Sequence, residues 1–181
     1  VVRNYTHRIL ELLNDSKSEY LEVDQLISSS NIERMVRYFD DELFIFIVDR
    51  DPRDVFLLGK YYWKDGICPT NPELFCKWFT YSHEAGNGIS EDASHIVKLQ
   101  FEDFIYKYDS TIKKIETITG LSPEKHIRKY ERLNPKRSIV NTRLWEKFPE
   151  DEEIKVIESK LQKYLYDYSS VDKMSVQGKE V

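Results

Sequence analysis

Glycine is scarce in this chain, six residues in 181, and residues 1–42 contain none. No glycine-rich loop able to wrap a phosphate can therefore sit in that opening stretch. Cysteine is scarcer still: Cys68 and Cys76 stand eight apart, which matches no common metal spacing and fits two reduced thiols. The four histidines, His7, His83, His95 and His126, form no H-x-H or H-E-x-x-H cluster, so the pattern argues against a metal site. No apolar run approaches the roughly 20 residues that a membrane-crossing helix needs. Val1 to Asp15 reads as an amphipathic helix rather than a signal peptide. The chain opens on Val1 instead of Met, which leads us to expect a processed or partial chain.

What is abundant is aromatic and charged. Twelve Tyr and nine Phe point to a core built on aromatic packing, and the length suits one domain, expected over residues 1–168 with a disordered tail at 169–181. The net charge of −5 argues against a general nucleic-acid binder. That charge is uneven: from Lys125 to Lys147 eight Lys/Arg face only Glu131 and Glu146, a local net of +6. A basic stretch in an acidic chain points to a small anionic ligand, although a solvated helix face would read the same way.

Periodicity gives the elements. Tyr5, Ile9, Leu12 and Leu13 predict a helix over about 4–15, and Ser30–Glu33 reads as a capping box opening a helix that ends near Asp40. Leu43–Val48 is six apolar residues in a row, the pattern of a central parallel strand covered on both faces. Asp51 and Pro52 then fit a helix cap and its first position. Asn71-Pro72 opens a helix with Phe75, Trp78 and Phe79 inward, 84–94 reads as a mobile loop, and His95 to Phe101 as a second strand. Beyond a short helix through Phe104 and Tyr108, one helix runs from Ser110 to Gly120 and another opens at Ser122-Pro123. A last helix carries Ile154, Ile157, Leu161, Leu165 and Tyr168. The expected class is α/β, a parallel sheet flanked by helices and short of strands.

Ligands of such sheets bind beyond the carboxyl ends of the strands, where helix N-termini offer amides. Arg50 stands at that point, in Asp49-Arg50-Asp51-Pro52-Arg53-Asp54. An Arg50–Asp54 surface ion pair is the structural alternative.

This turn resembles the strand-to-helix turn of sulfotransferases, a hydrophobic strand followed by R-[DN]-P-[KR]-D. Lys98-Leu99-Gln100-Phe101-Glu102-Asp103-Phe104 is similar to that family's "R-Y-E-D-L" segment, and Ser138 to Trp145 with the closing helix resembles the end of bacterial sulfotransferase-like proteins. The resemblance spans roughly residues 31–168. It implies a nucleotide-kinase-like core, the donor 3′-phosphoadenylyl sulfate, its product adenosine 3′,5′-bisphosphate, and a hydroxyl acceptor such as a carbohydrate; the two reduced thiols give the expectation of a cytoplasmic protein. It implies that Arg50 contacts the 3′-phosphate and that the basic segment, through Lys136, Arg137 and Arg143, contacts the same group. Two departures stand out. Leu58 occupies the position of a phosphate-binding Ser, and the family's Gly-rich phosphosulfate loop and usual catalytic base have no counterpart here, so no base is assigned. A truncated, non-catalytic relative is one alternative. A haloacid-dehalogenase-type phosphatase using Asp49 and Asp51 is the other.

Overall fold

The apolar run 43–48 and the second strand segment pair in a computed structural model that describes residues 1–14, 19–24, 32, 36, 38–39, 43–63, 66–84, 96–148 and 151–171. The predicted capping box at Ser30 and the loop at 84–94 fall on or beside residues outside that set, as does most of the helix read to Asp40. The chain divides into two compact units, Val1–Ile45 with Tyr81–Val97, and Phe46–Thr80 with Lys98–Val181.

In the first unit α1 (Val2–Leu13) forms where the periodicity predicts it, two residues earlier than expected. None of its residues is buried. Arg8 and Glu11 pair along its surface at 3.0 Å, and Ile32 is buried.

β1 (Ile45–Asp49) lies beside β2 (Ile96–Gln100) in a two-stranded parallel sheet flanked by helices, each strand lying mostly in the second unit. Val97 and Leu99 are buried, whereas Phe46 and Val48 are exposed. The expectation that both faces of β1 are covered is therefore corrected. An apolar run reports β-propensity but carries no signal of what covers the second face.

Between the strands come α2 (Pro52–Leu57), a π-helical turn (Leu58–Trp63) and α3 (Pro72–Glu84). The core joins Phe56, Leu57, Cys68, Phe75, Cys76 and Phe79 to Ile154, Ile157 and Leu161 of the C-terminal segment. Phe56 and Phe75 meet edge to face at 5.2 Å, and burying each contributes roughly 1.5–3 kcal/mol. Trp78, expected in the core, lies at its edge against Phe75. Both cysteines are free thiols inside this core, and burial pushes both thiols above their ordinary value.

After β2 the chain passes directly into α4 (Phe101–Tyr106) and α5 (Tyr108–Thr119). Gly120 closes α5 at φ 70°, a left-handed cap that glycine adopts without a Cβ penalty. Ser110 is not the expected cap; it lies inside the helix and donates back to the Lys107 carbonyl at 2.9 Å. Ser122-Pro123 opens only a single 3-10 turn, Pro123–Lys125. A four-residue helix α6 (Pro135–Ser138) is capped by Asn134.

Asp151 caps α7 (Glu152–Lys160) through the Glu153 amide at 2.8 Å. The predicted helix to Tyr168 stops eight residues short: Leu165 is extended, and Tyr168–Ser170 is a 3-10 turn. The break lets the Tyr166 amide reach Asp51 at 3.2 Å, a contact no helical continuation could make. Val171 is still buried. Residues 172–181 of the expected tail lie outside the described set.

Candidate functional site at the end of the first strand

Three carboxylates, Asp51, Asp54 and Glu102, are fully buried just beyond the paired strands. Buried charges are tolerated only when partnered, and two of these have both oxygens engaged. Asp51 Oδ1 accepts from the Arg53 amide and Nε, both at 3.0 Å, while Oδ2 accepts from Arg53 Nη2 at 2.7 Å and from the Tyr166 amide. Arg53 in turn donates to Glu158 at 2.9 Å and lies 3.9 Å over the Trp145 ring. Asp54 accepts from the Arg143 and Leu144 amides, each at 2.8 Å. Glu102 Oε1 accepts from the Asp51 amide at 3.0 Å, and its Oε2 is buried with no hydrogen-bond partner.

Their titration follows from this packing. Burial raises Asp54 to about 6, reinforced by the Asp51 charge and opposed by the two amides. Burial likewise raises Glu102 to about 7, with Asp51 and Asp54 adding in the same direction.

Arg50 is half-buried among these groups. Its Nη2 donates to the Asn141 carbonyl, its guanidinium sits 4.4 Å over the Phe101 ring, and its Nε is buried without a hydrogen-bond partner. Burial pulls its pKa below the ordinary value, with Asp54 first among the charges opposing that shift. The alternative of an Arg50–Asp54 surface ion pair does not describe the geometry, since Asp54 is buried and spends both oxygens on the backbone of residues 143–144.

The turn 141–144 is tied down at every residue. Asn141 accepts from Arg50, Thr142 shares a 2.7 Å hydrogen bond with the Tyr106 hydroxyl, and Asp54 holds Arg143 and Leu144. Arg143 itself is left-handed, at φ 56° and ψ 34°. Its guanidinium lies 5.1 Å over Tyr168 and pairs with Glu146 at 2.5 Å, while its Nε is buried and has no hydrogen-bond partner. The Tyr168 hydroxyl, also buried without a hydrogen-bond partner, is pushed up by burial.

Arg50 and Arg143, read from motifs far apart in the chain, thus converge on one turn. Lys136 and Arg137 do not join them there: both are exposed on α6, and Arg137 donates to the Tyr130 and Glu131 carbonyls. Leu58, at the position of the missing Ser, opens the π-helical turn.

No protein-family model, no curated protein and no solved structure matches the chain. The site is therefore read from its own chemistry.

Two expectations change on that reading. The amides at the start of α2 do not form an open cradle, because Glu102 and Asp51 already occupy the Asp51 and Arg53 amides. Any anion held here must be held by side chains. The second concerns Asp51 as a nucleophile or acid. Its buried oxygens are consumed by Arg53 and Tyr166, and among the described residues no group of three His, Cys, Asp or Glu is placed to hold a metal ion. The D-x-D phosphatase reading draws no support from this arrangement. Among the described residues no helix is long and apolar enough to cross a membrane.

Sequence reasoning missed Glu102 and Tyr168 as site residues. Glu102 had a signal, the E-D pair directly after a strand. Tyr168 had none, because its place depends on the break after α7.

Proposed function

We propose that this chain carries the nucleotide-phosphate-binding part of a sulfotransferase domain, which transfers a sulfuryl group from 3′-phosphoadenylyl sulfate to a hydroxyl acceptor, with carbohydrates the first class to test. Arg50 carries the reading: a half-buried guanidinium beyond the end of β1, with one nitrogen lacking a hydrogen-bond partner, beside the turn that presents Arg143. A half-buried guanidinium fits a phosphate oxygen, because a charge-assisted hydrogen bond is stronger than a neutral one and gains in a poorly solvated site. Arg50 and Arg143 hold the 3′-phosphate of the nucleotide, and Lys136 and Arg137 add positive potential from α6. Sulfuryl transfer is served by positioning and by cations around the nucleotide oxygens.

Calorimetric titration with adenosine 3′,5′-bisphosphate tests this. Wild type is expected to bind, and Arg50→Ala to bind more weakly by about 1.5–3 kcal/mol. Absence of binding by the wild-type chain overturns the reading.

A further inference from the structure

Arg143 is one of two described non-glycine residues with positive φ, the other being Tyr130. For a residue with a Cβ that conformation is unfavourable and persists only where the surroundings impose it. Here the imposing group is identifiable. Asp54, on α2 and 89 residues away in sequence, accepts from the Arg143 amide with one oxygen and from the Leu144 amide with the other, both at 2.8 Å. Those two amides open the 3-10 turn Leu144–Lys147, for which Arg143 is the cap residue, so Asp54 supplies from another element the acceptor that a local cap would give.

An anion site has reason to exclude such a group. A carboxylate close to a bound phosphate opposes it, and Asp54 is moreover fully buried. Its place is explained if holding the turn outweighs that repulsion. The rest of the turn agrees: Arg50 donates to Asn141 and Tyr106 meets Thr142, so the residues preceding Arg143 are fixed from α4 and from the end of β1. From that turn the Arg143 guanidinium lies 5.1 Å over the Tyr168 ring.

We propose that Asp54 is a positioning residue for nucleotide binding, which never touches the ligand and acts by clamping Arg143 in the left-handed turn whose Asn141 carbonyl also accepts from Arg50. This rests on the sulfotransferase reading above, because it presupposes a phosphate held by Arg50 and Arg143.

A double-mutant cycle tests it, with adenosine 3′,5′-bisphosphate as the probe. Arg143→Ala is expected to weaken binding by at least about tenfold, in line with one charge-assisted contact. Asp54→Asn keeps the shape but sets an amide NH2 against a backbone N–H, and is expected to weaken binding by a similar factor. In the Arg143→Ala background the same Asp54→Asn change is expected to have little further effect, under about threefold. An undiminished effect there, or none in the wild-type background, overturns the proposal while leaving the sulfotransferase reading intact. A wild-type chain that fails to bind overturns both. If Asp54→Asn is too unstable to titrate, its destabilisation is compared by chemical denaturation in wild-type and Arg143→Gly backgrounds. Glycine takes the left-handed turn unaided, so a smaller loss with glycine supports the clamp and an equal loss overturns it.

Discussion

Gly59 shows how narrowly a single position is constrained. It lies inside the π-helical turn, and a Cβ built on it would overlap the sulfur of Cys68 in the core. Gly59→Ala is therefore expected to destabilise the fold by about 1–3 kcal/mol, read as a lower denaturation midpoint at unchanged slope. The residues around Arg50 divide differently. Asp51 was legible as a helix cap because Asp-Pro at a strand end has few other uses, and its side chain does accept from the Arg53 amide. Arg50 was legible by its position after an apolar run. The burial of Asp54 was not, since an Asp in a helical first turn is ordinarily a solvated residue favoured by the helix dipole.

At the scale of elements, Arg53 of α2 adds a polar tie to the C-terminal segment beside the core packing of Phe56 and Leu57. Arg53 links Asp51 at its own cap to Glu158 of α7 and covers Trp145 of the 3-10 turn between them. A lysine keeps the charge but loses the planar fork and the stacked face. Arg53→Lys is expected to lower stability by about 1–3 kcal/mol with nucleotide affinity little changed, checked by denaturation alongside titration. Lys60 of the π-helical turn adds an ion pair to Glu153, also on α7. Among the elements, α5 was readable because Gly120 marks its end, and β2 because β-branched and apolar residues precede Glu102. The end of α7 was not, because Leu165 and Tyr168 keep helical spacing while Leu165 leaves helical geometry.

The stability of the whole molecule should carry the signature of its buried carboxylates. Glu102 is raised from 4.5 to about 7 and Asp54 from 3.8 to about 6, so the folded chain retains protons that the unfolded chain releases. For these two groups stability is greatest at low pH, falls as pH rises from about 4 to 7, and stays low above it. The Glu102 contribution to that fall is on the order of 3 kcal/mol. Glu102→Gln removes the titration while keeping an acceptor for the Asp51 amide. The melting temperature of the variant minus that of wild type is expected to rise from pH 5 to pH 8, and a difference independent of pH would refute the assignment.

The amino-acid order alone determined the α/β class, the two strands, the position of the Arg50 turn and the excess of positive charge in 125–147, because each depends on near neighbours in the chain. Periodicity, caps and charge runs are local properties, and they survive in the sequence unmixed. Which groups meet beyond β1 was decided only by tertiary structure. Asp54 finds Arg143, and Glu102 finds Asp51, across separations of 89 and 51 residues. Such pairings arise when packing leaves a buried carboxylate whose desolvation must be offset by whichever amides lie within reach, and no local pattern encodes which amides those are.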